Sequence, residues 1–419
     1  MLFISPASYA LDGEGTLTLE SIFDYIEQQQ APDLRMQQAN IHQLHAKLAQ
    51  ANSINDLEIN LIGHARYVEP NELPRDQSNN DSFASLELRK KLYDSGHREY
   101  NERAFKTLIE AKNLEAQYYL NQKKLTAAEL FFKLITTETR YLRDTEAMMV
   151  AFEWTHRARQ EHSVGKLSTV DLRKKEAKTQ QLVRIRAASA MEIRNLRTQL
   201  ALNIGYTQTL PAELTIPKLN NIHFTLPDMN TTQQEAISSN LLIKAIQKEI
   251  LAEKINLKKE DSRYDLQVLG YADVNAYNRD LSSRDEWRVG IAFKLPLFSQ
   301  KSIPHKNEIH AKLHRLEAKL EHKTNEIKSN IYQIYNDIEL QESRLSEVQT
   351  NEDYKYLELD RSRALYEVGY RVNIGNSMTE TTGADILIKS QQLDMMQSYM
   401  KLNNLIGRPL LDQRIKEKR

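Results

Sequence analysis

Side chains able to do chemistry are thinly spread in this sequence. His310 and His314 stand four apart with His305 near them, a spacing that can hold a metal on one helix face. No acid or thiolate is fixed beside them by the sequence, so they read as a solvated face, as do His42 and His45. There is no glycine-rich phosphate loop, no GxSxG and no HExxH. The absence of Cys removes disulfides, thiolate metal sites, Cys nucleophiles and a lipidated N-terminal Cys. With 57 basic against 57 acidic residues there is neither a basic footprint for nucleic acid nor an acidic tail. No enzyme, cofactor or metal centre is therefore expected.

The elements that carry these residues are more informative. The 419 residues include 12 Gly and 10 Pro, about 5% where average usage gives roughly 12%. Few turns can be built from so few breakers. Residues 97–164 contain neither, and nor do 166–204, 228–269, 305–368 and 384–406. As single helices, the stretches 97–164 and 305–368 would each run roughly 100 Å. Their apolar residues keep a narrow seam: Ile309, Leu313, Leu316, Leu320, Ile327, Ile331, Ile334 and Ile338 recur at spacings of three, four and seven between Lys, Glu, Asn and Gln. A mean hydropathy of −0.61 fits helices wet over most of their surface.

The chain repeats itself. Gly165 and Gly369 each end a long helix; LNIG at 202–205 and NLIG at 404–407 each end the next; LYDSG at 92–96 and LFSQK at 297–301 each precede a long helix. Two structural repeats follow, 17–206 and 230–408, joined by a Pro-containing segment, 207–229, and followed by a tail, 409–419. Each repeat has two segments of period-two alternation before its long helix, 57–67 and 83–93, then 266–275 and 287–295. Each is the length of a membrane β-strand with one apolar and one polar face. They form hairpins within 57–93 and 265–295. Lys90 is the discord, a charge on an apolar face that must snorkel to a boundary. Four strands cannot close a barrel, so strands placed in lipid require further copies of the chain. Met1–Ala10, MLFISPASYA, reads as the tail of a secretory signal. The alternative is a soluble coiled-coil scaffold, for which long polar helices with a narrow seam are also expected.

In order and duplication the motifs resemble the TolC-like outer-membrane efflux and secretion ducts (outer membrane factors). LTLES at 17–21 and APDL at 31–34 open helices, and LYDSGHR at 92–98 and LPLFSQ at 295–300 turn strand into helix. HSVGKLSTVDL at 162–172, and YEVG at 366–369 with GADIL at 383–387, resemble the two helical tips. The resemblance runs from about 17 to 407. It implies a mostly α, α+β chain whose trimer forms a long antiparallel α-helical barrel, or tunnel, and a transmembrane β-barrel of four strands per chain. It also implies a bacterial outer-membrane location extending into the periplasm, outer-membrane lipid around the barrel, a periplasmic adaptor (membrane fusion) protein and an inner-membrane transporter as partners. It assigns adaptor docking to Val164, Gly165, Lys166, Leu167 and Gly369. It assigns the pore constriction to Tyr366, Arg371 and Asp385, with Ile388 where the family often has a second acid. Gly369 and Asp385 are sixteen residues apart where Gly165 and Asp171 are six apart, so Val372–Thr382, polar and rich in Asn, Ser and Thr, is expected as a loop at the tunnel mouth.

Overall fold

A computed structural model describes residues 16–28, 31–53, 55–70, 76–217, 226–261, 266–279, 281, 284–297, 302–370 and 372–411. The signal expected at Met1–Ala10, Arg371, which is expected at the constriction, most of the tail and part of the 207–229 segment lie outside them.

Their elements are, in order, β1 (Thr16–Leu17), α1 (Leu19–Gln28), α2 (Pro32–Ser53), β2 (Glu58–His64), β3 (Phe83–Tyr93), α3 (His97–Ser163) and α4 (Thr169–Ile204). There follow β4 (Glu213–Leu214), α5 (Met229–Ser239), α6 (Leu241–Asp261), β5 (Gln267–Tyr277), β6 (Trp287–Lys294), α7 (Ser302–Glu367) and α8 (Ile374–Leu405). The helices α3 and α7 have 67 and 66 residues, as the breaker-free stretches require. Pro304 sits in the first turn of α7, where no intrahelical acceptor awaits its missing N–H.

Helix ends repeat bond for bond. At the end of α3 the Gly165 N–H reaches the His162 carbonyl at 2.9 Å and the Lys166 N–H that of Glu161 at 2.8 Å. At the end of α7 the Gly369 N–H reaches Tyr366 and the Tyr370 N–H reaches Leu365, both at 3.0 Å. These are Schellman caps, and they place Gly165 and Gly369 at φ of +74° and +87°, where a Cβ is disfavoured. The ends of α4 and α8, at Gly205 and Gly407, carry the same pair of bonds.

Contacts group the chain into two compact units that cut across the sequence repeats. The first comprises Met1–Met36, Ala116–Leu241 and Thr324–Arg419. Its core joins Leu19, Ile22 and Ile26 of α1 with Phe131, Leu134 and Ile135 of α3, Leu200 and Ile204 of α4, and Leu393 and Met400 of α8. In it β1 pairs in parallel with β4, two residues on each side. The seam of α7 is buried here at Ile327, Ile331, Ile334 and Ile338, and nearer the tip Leu359 is buried beside Ser362.

The second unit comprises Gln37–Glu115 and Leu242–Lys323. Ile246 and Ile250 of α6 meet Ile309, Leu313 and Leu316 of α7 in a small core. Its sheet has the order β2-β3-β5-β6, every pair antiparallel, so the two hairpins join through β3 and β5. The β3 bounds are those read from the sequence. The other three strands differ from the alternating segments by one to three residues at an end.

One expectation is corrected. Residues 374–382 are not a loop: they are the opening turns of α8. The Asn373 carbonyl oxygen of the side chain caps the helix by accepting the Asn376 N–H at 3.0 Å. Thr379, Thr381 and Thr382 each turn their hydroxyl back to the carbonyl four residues earlier. The polar side chains that suggested a loop are thus satisfied on the helix itself.

Candidate functional site

Two surfaces carry the features that matter, the helical tips in the first unit and the sheet in the second. At the first tip Ser168 caps α4, accepting the Asp171 N–H at 3.1 Å and donating its own hydroxyl to the Asp171 carboxylate at 2.6 Å. Val164, Gly165 and Lys166 are exposed, and Leu167 is half-buried. At the second tip Tyr366, Val368, Gly369 and Tyr370 are all exposed. Each tip is therefore a tight turn presenting apolar side chains to solvent.

Below the tips the helices pair through polar rungs. Thr155 and Thr179 share a hydrogen bond of 2.7 Å between α3 and α4, and Ser189 donates to Asp144 at 2.6 Å. Between α7 and α8, Ser362 meets Ser377 at 2.9 Å and Lys355 donates to Glu380 at 2.7 Å. The tip of α3 also holds α8. Trp154 donates its indole N–H to the Asn373 side chain at 3.0 Å, and Thr382 donates to Glu146 at 3.1 Å. Gly375 lets the two backbones approach, since a Cβ there would lie 2.8 Å from a Val150 methyl.

That contact gives a contrasting pair of expected results. Gly375→Ala forces α3 and α8 apart and should cost about 1–2 kcal/mol, an overpacking penalty only partly offset by helix propensity. At Gly383 a Cβ would meet its nearest atom at 3.6 Å, an ordinary contact, so Gly383→Ala should stabilise by up to about 1 kcal/mol. Thermal melts of the two variants read the difference; equal shifts would contradict the close packing.

The residues assigned to the constriction are placed as follows. Asp385 lies eleven residues beyond the first residue of α8, half-buried, and Ile388 lies one turn on, also half-buried. Asp385 accepts from the Tyr356 hydroxyl, at 3.3 and 3.4 Å to its two oxygens. Tyr366 is at the exposed end of α7 and makes no hydrogen bond to Asp385 among the described residues. The tyrosine facing this acid is thus Tyr356, ten residues earlier. The reason is register: opposite Asp385 in an antiparallel hairpin stands a residue well back from the tip.

A third group completes this cluster. Burial first, and then the neighbouring Asp385 carboxylate, push the Glu352 carboxyl above its ordinary range. The same acid pushes the Tyr356 phenol up. A carboxyl raised in the folded state binds more protons there than in the unfolded chain. Its penalty is absent below the ordinary carboxylate range, grows as pH rises towards the folded value, and is complete above it. Glu352→Gln removes the ionisation, so its melting temperature relative to wild type should climb from about pH 3 to about pH 8. A constant difference would show that neither burial nor Asp385 disfavours the Glu352 carboxylate.

The sheet has two unlike faces. One carries the register row Ile59, Leu88, Ala272 and Val289, and the next row Leu61, Leu86, Val274 and Trp287. Most of these are solvent-exposed, Val289 at 71% and Trp287 at 68%. Such a contiguous apolar surface marks contact with lipid or protein. Lys90 does lie on this face, in the row of Gly270 and Ile291 towards the helix end of the strands. The opposite face carries the row Asn60, Glu87, Asp273 and Arg288, with ion pairs from Arg89 to Glu87 at 2.7 Å and from Arg288 to Asp273 at 3.0 Å. The outer backbone edges of β2 and β6 are unpaired within the sheet.

The histidines are placed on helix surfaces. His305 stands 3.4 Å from both Glu260 and Glu308, His314 stands 3.6 Å from Glu317, and His42, His45 and His310 are exposed. Among the described residues no three His, Asp or Glu come together as a metal site, and no helix is long and apolar enough to cross a membrane.

Solved structures of outer-membrane channels match this fold. CusC, described in a study of folding and transmembrane channel formation, superposes with a TM-score of 0.75 over 93% of this chain and 92% of its own at 12% identity. The outer membrane protein VceC from Vibrio cholerae gives 0.70 over 94% and 96% at 13% identity. The Campylobacter jejuni CmeC outer membrane channel gives 0.73 over 95% and 86% at 12% identity. No family model and no curated protein matches the sequence. The fold of this chain is that of the outer-membrane channels, as its resemblance to the TolC-like ducts implies.

Proposed function

We propose that the chain is the outer-membrane exit duct of a tripartite efflux pump or type I secretion system. In this reading three copies supply twelve strands to one barrel and twelve helices to a periplasmic tunnel, and cargo passes without a catalytic step. The observation that carries it is the four-stranded sheet, apolar and exposed on one face, polar on the other and open at both edges. In lipid such edges must be paired, and only further copies of the sheet can pair them while the apolar faces stay outward. A soluble coiled-coil scaffold has no use for that face.

The two sequence repeats supply the quasi-equivalent halves of the wall. The tips at Val164, Gly165, Lys166, Leu167 and Gly369 dock a periplasmic adaptor, which links the duct to an inner-membrane transporter that provides the energy. Tyr366, Arg371, Asp385 and Ile388 line the constriction, where three copies of Asp385 would concentrate negative potential. Tyr356 and Glu352 join that set through their contact with Asp385. Fractionation of expressing bacteria, followed by chemical cross-linking, tests this reading. A cross-linked trimer in the outer membrane is expected; recovery as a soluble monomer would sink it.

A further inference from the structure

The long helices of the first unit form an open row. Hydrogen bonds join α4 to α3 at Thr179–Thr155 and Ser189–Asp144, α3 to α8 at Trp154–Asn373 and Glu146–Thr382, and α8 to α7 at Ser377–Ser362 and Asp385–Tyr356. Among the described residues no hydrogen bond or ion pair joins α4 to α7. The row therefore has two free flanks, the side of α4 turned from α3 and the side of α7 turned from α8.

Both flanks are patterned as seams. The buried side of α4 carries Leu172, Thr179 and Leu196; on the opposite side Val170, Ala177, Arg184, Ala188, Met191 and Leu202 keep spacings of three, four, seven and eleven and are all exposed. On α7, Leu340, Ser343, Glu347, Tyr354, Leu357 and Ala364 keep spacings of three, four and seven and are likewise exposed. Small residues beside exposed Met and Leu suit knobs-into-holes packing of another helix. The charges of the two flanks are opposite. α4 has eight Arg and Lys against three Asp and Glu, whereas the stretch 324–367 of α7 has five against ten. Arg184 and Arg194 on α4, with Glu347 and Asp353 on α7, are exposed and make no ion pair among the described residues. Like flanks repel and unlike flanks attract.

The rungs also set which residues stand level. Stepped from α4 through α3 and α8 to α7, they bring Ala188 level with Leu357 and Met191 level with Tyr354, to within about one turn. A ring of copies about an axis parallel to the helices keeps those levels from one copy to the next. We infer that α4 of one copy packs antiparallel along α7 of the next, with Leu357 set against Ala188 and Asp353 beside Arg194. Contact between unlike flanks is heterologous and can close into a ring. The inference rests on the duct reading, which puts copies side by side, and adds which helices meet.

The chain has no Cys, so introduced pairs report without background. The full chain carrying Ala188→Cys with Leu357→Cys, expressed in bacteria and treated with a mild oxidant, should run on non-reducing gels as disulfide-linked dimers and trimers and return to monomer with reductant. Ala188→Cys with Ser343→Cys, whose positions differ in level by roughly 20 Å, should not link. Should the first pair not fold, Met191→Cys with Tyr354→Cys reads the same levels. Arg194→Asp added to the linking pair should lower the linked fraction about threefold or more, and a further Asp353→Arg should restore it. Two results overturn the seam while the duct reading stands: neither level pair links in protein that chemical cross-linking shows to be trimeric, or Ala188→Cys alone links, which would mean that two α4 flanks meet. A soluble monomer overturns both.

Discussion

Val289→Arg is expected to destabilise the membrane-assembled protein by about 2–4 kcal/mol, the cost of a cation near the middle of a lipid-facing strand. Val289 is 71% exposed and shares its row with Ile59, Leu88 and Ala272, so the side chain has no protein partner to shield it. Ile291→Arg, in the row where Lys90 is native, should cost only about 0–1 kcal/mol, because that row lies nearer the helix end and a long cation can snorkel. Lys294→Gln, on the polar face, should stay within about 0.5 kcal/mol of wild type. Denaturant unfolding from lipid vesicles measures all three. If the three variants behave alike, the apolar face does not meet lipid.

Phe131→Ala should cost about 3–5 kcal/mol, the range for emptying a fully buried aromatic site. Phe131 is fully buried in the core of the first unit, with its ring centroid 6.2 Å from that of Phe132 and with α1, α4 and α8 contributing to the same cluster. Helices as long and wet as α3 rely on few such clusters, so the loss should appear as a lowered melting temperature. Phe131→Leu, which leaves a smaller void, should recover much of it. A change of less than about 1 kcal/mol for the alanine variant would mean that this core does not hold α1 and α3 together.

Sequence patterning made most of these elements legible because their signals are long. A breaker-free run of over sixty residues leaves a helix few places to stop, and Gly165 and Gly369 mark where both long helices do. The strands were legible through alternation sustained over about ten residues. What period and composition cannot show was missed. The parallel pair of β1 and β4 is two residues long on each side, too short for any period. The first turns of α8 read as a loop from their Asn, Ser and Thr content, since those residues favour turns when nothing else holds them. Here Trp154, Glu146, Ser362 and Lys355 hold them from neighbouring helices. The partner of Asp385 depends on the register of α7 against α8, which the spacing within one helix does not encode.

Pore formation by the assembled chain is the most direct test of the exit-duct function. The purified full-length protein, added to a planar lipid bilayer under an applied voltage, should give discrete, long-lived steps of ionic current, each step one inserted trimer. Stable binding to the bilayer with no current steps at any voltage, from protein that cross-links as a trimer, would contradict it.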